Sequence, residues 1–588
     1  MISVSGAKGR VWFVLLVAAW LLPGTVARTP WKADEAYTYG LVQHIMDSGD
    51  WVVPKLGGEP FMQKPPVLFV TAAYTGKIFG GIFGKDTAIR LSIALFQILT
   101  LVFLGLGGRE LLGRGKGWYA PVLFMGCLGF LQLDHMLICD VSLVTGFAIA
   151  FAGLAYIPRR PTLGGILLGT GSGMAFMSKG LIGPGLIGMT TILLPFCGKS
   201  WRSTGYVKCL AVAAVASLPW VLIWPLALYQ RDHELFNQWF LDNNLGRFVG
   251  AARVGRPNNL GLGGERYPFY LVLPWFAWPA FPLFCLYFWK KWRGTDGDRN
   301  VAETGRQECL PYAARQETGP VEEGLSYRAG VRLCVVGLIV MVIILSVSRN
   351  SRTLYGLPML VPACLLGGYG VELLSAQWNK WSRNFCFVVF GISIATAWVV
   401  WLALMLGITP GALQMAIQKG VPDYQAVFQM GAFVAALAAT ALWVCWQVGQ
   451  PKDDSRLAAV NWCAGLSLCY LLVMTLFLPL VEANMSYRHL ASLREKVAQL
   501  KGPVVSSGLG EPQRAMLEYY AGLTTTRVEV NPAADADWFL TQTDARTEEG
   551  RQAKGPAWKM VWESVHSRKE LFRLYQRVRV DNAAATKP

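Results

Sequence analysis

Long uninterrupted apolar runs dominate this chain, and several reach the roughly 20 residues a helix needs to cross a bilayer. Of its 588 residues, 53% are hydrophobic and only 15% are charged, whereas soluble domains carry about 25% charged residues. A soluble fold would need an unusually large core to hide these runs. The composition therefore predicts an α-helical polytopic membrane protein.

The net charge of +17 does not point to nucleic acid, because Lys and Arg lie in short clusters between apolar runs rather than in one basic stripe. Lys8/Arg10, Arg109/Arg114/Lys116, Arg159/Arg160, Lys199/Arg202/Lys208 and Lys290/Lys291/Arg293 fall in alternate short connections. The positive-inside bias assigns that side to the cytoplasm. The 12 cysteines lie mostly inside apolar runs, without the close spacing of a zinc or redox site.

The first apolar run covers 11–27. Thr25 and Ala27 form a weak cleavage pattern, but a retained helix is expected. Further spans are expected near 87–108, 118–133, 139–156, 163–178, 181–197, 207–229, 269–289, 330–347, 354–375, 384–407, 425–449 and 457–481, about thirteen in all. A transmembrane domain 1–481 would then hold outer loops at 28–86 and 230–268 and a flexible cytoplasmic loop at 290–328. Residues 482–588 would form an outer α/β domain, with GPVVSSG, TTRVEV and DWFLTQT as strands and EPQRAMLEYYAG as a helix.

Within 28–86, the helical spacing of Leu41, Ile45 and Met46 and the apolar stretch Val67 to Phe83 predict helices lying along the outer interface. No GxGxxG or Walker pattern accompanies the VVSSG segment.

Charges near membrane depth mark functional sites by default. The topology gathers them on the outer face: Asp34, Glu35 and Lys64 in the first loop, Asp134, His135 and Asp140 before the fourth span, Lys179 in FMSKGLIGPG, Arg247 in NNLGRF, and Arg349 and Arg352 in SRNSRTLYGLP. Several have a bland reading, whereas Lys179, an outer basic residue, runs against the cytoplasmic bias. Asp34 suits a helix N-cap, Asp134 and His135 suit ordinary loop polarity, and the two later arginines suit snorkelling to headgroups. Taken together, acids and bases from separate segments suit an amphipathic substrate, with cations on a lipid phosphate and a carboxylate at the sugar or acceptor.

The stretch DEAYTYGLVQHIMDSGDWVVPKLGGEPFMQKPPVL resembles the opening outer loop of the ArnT-like, protein-mannosyltransferase-related membrane glycosyltransferases with the GT-C fold. LICD, AFMSKGLIGP, LPW, NNLGRF and SRTLYGLPML follow in the family's order, so the resemblance covers nearly the whole chain. It is nearest to the undecaprenyl-phosphate 4-amino-4-deoxy-L-arabinose transferases. It implies a multi-pass enzyme of the bacterial inner membrane, with a cytoplasmic N-terminus and a periplasmic C-terminal domain. Sugar would pass from a polyprenyl-phosphate donor to lipid A phosphate, the modification behind polymyxin resistance.

By the same resemblance Asp34 and Asp140 are the catalytic acids, with Glu35 beside them. Lys64, Lys179, Arg247, Arg349 and Arg352, with Tyr37 and Gln63, hold phosphate or substrate. Tyr37 stands where relatives often carry Arg, and Gln63 where they often carry Glu. No cofactor is required, although the outer acids leave room for a divalent metal. The alternatives are a protein O-mannosyltransferase, another enzyme of cell-surface glycans, and a lipid-linked sugar transporter. A transporter would be expected to carry midplane charges on broken, repeated helices.

Overall fold

The computed structural model describes residues 7–131, 135–246, 268–293, 327–347, 352–421, 424–450, 457–533, 536–544, 546–547, 554–567 and 570–578. Arg247, Arg349, Asp134 and most of the 290–328 loop lie outside these residues.

The chain opens with α1 (Ala7–Leu21), followed by α2 (Asp34–Ser48), a two-stranded hairpin of β1 (Lys55–Leu56) and β2 (Glu59–Pro60), and α3 (Val67–Phe83). The hairpin turns on Gly57 and Gly58, at φ +55° and +83°, matching the two left-handed positions of a tight β-turn. Next come α4 (Lys85–Leu112), α5 (Tyr119–Met125), α6 (Cys139–Tyr156), α7 (Pro161–Lys179), α8 (Ile182–Cys197) and α9 (Thr204–Arg231). The later membrane helices are Phe269–Phe276, Ala280–Trp292, Tyr327–Val347, Leu360–Val371, Ala376–Met405, Met430–Gly449 and Leu457–Leu476.

Among the described residues, eight helical segments are long and apolar enough to cross a membrane, or nine if the pair Phe269–Phe276 and Ala280–Trp292, bent by 100°, counts as one. By that criterion the count is below the thirteen expected. The expected span 118–133 is not a full helix. Among its described residues only Tyr119–Met125 is α-helical, and the chain then turns so that the amides of Leu128 and Gly129 donate to the carbonyls of Trp278 (3.2 Å) and Phe276 (3.0 Å). Those carbonyls lie at the break of the bent pair, where Pro279 has no N–H to give. The two irregular segments therefore satisfy each other's backbone groups, which a bilayer interior requires.

α6 is the central helix, with 94% of its apolar window buried in the protein, against 17% for the lipid-facing Met430–Gly449. Its backbone approaches α7 closely: a Cβ on Gly171 would lie 2.5 Å from the Gly146 carbonyl oxygen. Small residues at such a seam permit the tight packing favoured between membrane helices.

The C-terminal region folds as a mixed five-stranded sheet of β3 (Val504–Ser507), β4 (Thr526–Arg527), β5 (Trp538–Thr543), β6 (Trp558–Ser567) and β7 (Glu570–Arg577), in the order β4-β3-β5-β7-β6. β3 runs parallel to both β4 and β5, while β7 is antiparallel to β5 and β6. The helix Glu511–Ala521 packs on α2. Glu59 of the hairpin accepts from Arg514 (3.1 Å) and Arg527 (2.7 Å), and Lys32 pairs with Glu570 at 2.9 Å. The sheet is thus anchored directly on the segment that carries Asp34 and Lys64.

Candidate functional site

Asp34 is the first residue of α2, preceded by Ala33, and no side chain caps this helix. Its carboxylate is therefore not spent on the helix end, contrary to the N-cap reading. It accepts instead from Arg352 Nη1 at 3.4 Å, and both side chains reach solvent, at 24% and 66% exposure.

Glu35, one residue on, has the opposite environment. It is wholly buried and accepts from Arg28 at 2.6 Å, Arg90 at 3.1 Å, the Trp31 amide at 3.0 Å and the Leu137 amide at 3.2 Å. Burial works to raise its carboxyl, but Arg28 and Arg90 outweigh it and hold Glu35 below the usual carboxylate range. With both oxygens committed to buried donors, Glu35 has none left for a substrate. The expectation of a catalytic role there is corrected to a structural one. The cluster still matters to the site, because Arg28 also donates to the His135 carbonyl at 2.8 Å. Glu35 therefore ties the start of α2 to the segment leading into α6.

α6 presents Asp140 in its first turn, where the helix dipole favours a carboxylate. Lys179 ends α7 and pairs with Asp140 Oδ1, and its Nζ lies 3.8 Å from the centre of the Tyr355 ring. Lys64 follows the hairpin and donates to the Tyr37 hydroxyl, while the Tyr37 ring stacks on Phe61 at 5.6 Å. Burial pushes the Tyr37 hydroxyl above the ordinary phenol value despite Lys64, so it stays protonated at neutral pH. Burial works to lower the Lys64 ammonium, but Tyr37, Cys139, Asp34 and Asp140 hold it above the ordinary lysine value. Cys139 lies within electrostatic reach of Lys64, Asp140, Lys179 and Asp34 together. The Asp140–Lys179 pair, Lys64 and Asp34 thus gather near the start of α6.

Gln63 does not join them; its amide donates to Glu511 of the sheet domain at 2.7 Å. His135 is buried between Trp20 and Tyr470, with Nε2 2.7 Å from the Trp20 carbonyl. Among the described residues, no three His, Cys, Asp or Glu side chains lie close enough to hold a metal ion.

Several contributors were missing from the sequence reading. Tyr355 sits inside SRTLYGLP but carries no charge to flag it. Arg28 and Arg90 form the Glu35 cluster, and an arginine within the apolar run of α4 was itself a signal. Asn244 lies on a π-helical stretch, Gln238–Leu245, accepts from the Leu181 amide at 3.3 Å and donates to the Trp239 carbonyl at 2.9 Å. Gly180 explains why NNLG and SKG belong together. Its backbone is at φ +71° and ψ −147°, and a Cβ there would fall 1.7 Å from Asn244 Oδ1. Gly180→Ala is expected to cost about 1–3 kcal/mol, read as a lower apparent unfolding temperature, and to displace Lys179, read as weaker donor use in a transfer assay.

No family model matches the chain. The aminoarabinose transferase of Pseudomonas aeruginosa strain UCBPP-PA14, named for undecaprenyl phosphate-α-4-amino-4-deoxy-L-arabinose, is 27% identical over 376 residues, 62% of this chain and 60% of the relative. The protein of the same name from Edwardsiella ictaluri is 26% identical over 311 residues, 46% of this chain and 54% of the relative. The matched segments thus span about 60% or less of these relatives' length. The crystal structure of ArnT from Cupriavidus metallidurans bound to undecaprenyl phosphate aligns with a TM-score of 0.64, at 16% identity, over 97% of this chain and 98% of that one. Its apo form aligns with a TM-score of 0.63.

The chain is thus similar to ArnT-like transferases and shares their GT-C fold. In this ArnT-like chain the GT-C architecture, with its helical bundle and small C-terminal sheet, sets the first loop, the start of α6 and the end of α7 against one another. The charged cluster occupies the face of the bundle on which the sheet domain sits.

Proposed function

We propose that this ArnT-like protein is a glycosyltransferase of the bacterial inner membrane. It moves a sugar, 4-amino-4-deoxy-L-arabinose, from undecaprenyl phosphate to a lipid A phosphate on the periplasmic face, a modification that confers resistance to polymyxin. The observation that carries this reading is the meeting near the start of α6 of the Asp140–Lys179 ion pair, of Lys64 on the Tyr37 hydroxyl, and of Asp34 with Arg352 reaching it from a fifth segment. The curated relatives' names support the donor sugar and its lipid carrier.

In the reaction, the bond between the anomeric carbon and the polyprenyl phosphate oxygen breaks as a new bond forms to the acceptor phosphate oxygen. Lys64 and Lys179 neutralise the departing phosphate. Asp34 stabilises positive charge developing at the sugar and orients the acceptor, with Arg352 bridging to the acceptor phosphate. The acceptor is already an anion, so no strong general base is needed. Asp140 keeps Lys179 aimed across the site. Tyr37, held protonated, hydrogen-bonds Lys64 and fixes its position.

The test is mass spectrometry of lipid A from cells with and without the protein. Loss of the aminoarabinose mass increment on deletion supports the proposal. An unchanged lipid A profile, with sugar missing instead from envelope proteins or another glycan, overturns the acceptor assignment.

A further inference from the structure

At the membrane face opposite the charged cluster, Ala376–Met405 and the end of Met430–Gly449 enclose a polar cleft of about 190 Å³, lined by Arg383, Asn384, Phe387, Gln447, Val448 and Gln450. Its place follows from Leu457–Leu476, which begins beside it. Past the far end of that helix a short helix, Leu478–Met485, ends at Met485, whose carbonyl accepts from the Lys32 amide, two residues before Asp34, at 2.9 Å. A 20-residue helix is about 30 Å long, so the cleft lies one bilayer core away from the candidate active site.

A chain of hydrogen bonds runs toward this cleft, and its direction is fixed. The indole nitrogen of Trp446 donates to Asn461 Oδ1, the Asn461 amide donates to Gln450 Oε1, and the Gln450 amide donates to Gln447 Oε1, each at 2.8 Å. An indole N–H only donates, so every amide downstream must accept with its oxygen and donate with its nitrogen. The series ends at Gln447 Nε2, a buried donor with no acceptor. Leaving such a group unmade is costly. Trp446, Asn461 and Gln450 are themselves buried, so the polarity of the chain is built into the protein.

Arg383 lines the same cleft, no carboxylate does, and Arg383 has no ion-pair partner among the described residues. Around it, Trp378 and Trp381 are 60% and 59% exposed, and Trp381 stacks on an exposed Phe385 at 5.4 Å. Exposed tryptophans at a helix end mark the headgroup level of a bilayer.

We propose that this cleft binds the phosphate of an anionic phospholipid in the leaflet opposite the active site. Arg383 supplies the charge and a small rotation of the partly exposed Gln447 side chain supplies a hydrogen bond. The lipid acts as a structural ligand that holds Ala376–Met405 against Met430–Gly449. Neither the cleft nor its occupant depends on the glycosyltransferase reading.

The test reconstitutes the full chain in nanodiscs of phosphatidylcholine alone or with phosphatidylglycerol, followed by detergent extraction and native mass spectrometry. The wild type is expected to retain phosphatidylglycerol and not phosphatidylcholine. Arg383→Gln and Gln447→Leu are each expected to weaken retention by about tenfold. Arg383→Lys, and Lys419→Gln at the other end of the bundle, are expected to retain the lipid. Gel filtration establishes that each variant is folded. Equal retention by Arg383→Gln and wild type, or equal retention of phosphatidylcholine, overturns the proposal. So does thermal protection by inorganic phosphate alone that matches protection by phosphatidylglycerol, since that identifies a free-anion site.

Discussion

Asp34→Asn is expected to lower sugar transfer by about 10²–10³-fold, the range attached to removing one preorganised electrostatic stabiliser, while leaving the protein folded. The second half of that expectation rests on geometry. Asp34 makes one side-chain ion pair, at 3.4 Å to an arginine that is 66% exposed. Removing its charge strands nothing, because Arg352 is free to turn into water, and exposed pairs of this kind contribute little to stability. A transfer assay on membranes containing normal amounts of the variant checks the first half, and thermal unfolding of the purified variant checks the second. A variant that transfers sugar at the wild-type rate removes Asp34 from the chemistry.

Glu35→Gln is expected to do the reverse. The substitution keeps the shape of the side chain but leaves Arg28 and Arg90 buried beside a neutral amide, and breaking a buried charge cluster in this way costs about 3–5 kcal/mol. The folded carboxyl lies below its ordinary value because the two arginines outweigh burial. The stability it contributes is therefore fully present above the unfolded carboxyl's value, near 4.5, and is lost as pH falls through the folded one. Acidification below about pH 4.5 should destabilise the wild type more steeply than Glu35→Gln, which has no such group to protonate. Unfolding temperature followed against pH for both proteins reads this directly. Parallel curves would show that Glu35 carries no linked stability. Two adjacent acids, alike in sequence, should thus separate into a loss of activity and a loss of fold.

That separation marks the limit of what the residues alone disclosed. Apolar run length was enough to read the membrane class and most helix positions, because the backbone of a spanning segment has few ways to satisfy its hydrogen bonds. It failed at 118–133, where the backbone amides leave the helix to bond Trp278 and Phe276, a long-range exchange invisible in hydropathy. The first three strands of the C-terminal sheet, in GPVVSSG, TTRVEV and DWFLTQT, and the helix in EPQRAMLEYYAG were legible as alternating runs. The β6–β7 hairpin was not, because polar residues such as Lys559, Glu563 and Ser564 interrupt its apolar positions, and Met560 and Val565 are exposed.

Within the site, charge and membrane side singled out Asp34, Lys64, Asp140 and Lys179, which the fold brings together. The same rule could not sort Asp34 from Glu35, since the difference lies in Arg28 and Arg90, supplied from the end of the first apolar run and from α4. Gln63 read as a substrate contact because it neighbours Lys64, yet its amide faces Glu511. A docking partner 448 residues away leaves no local trace. Arg247 and Arg349 stay as sequence expectations, outside the described residues.

The most direct test of the central claim is reconstitution of the purified chain in liposomes with undecaprenyl phosphate-linked 4-amino-4-deoxy-L-arabinose and lipid A, with lipid A mass followed over time. Wild-type protein is expected to add the aminoarabinose increment to lipid A as donor is consumed, and Asp34→Asn protein at equal amount is expected to add almost none. A folded wild type that leaves lipid A unmodified under these conditions, or a folded Asp34→Asn variant that modifies it at the wild-type rate, would contradict the assignment.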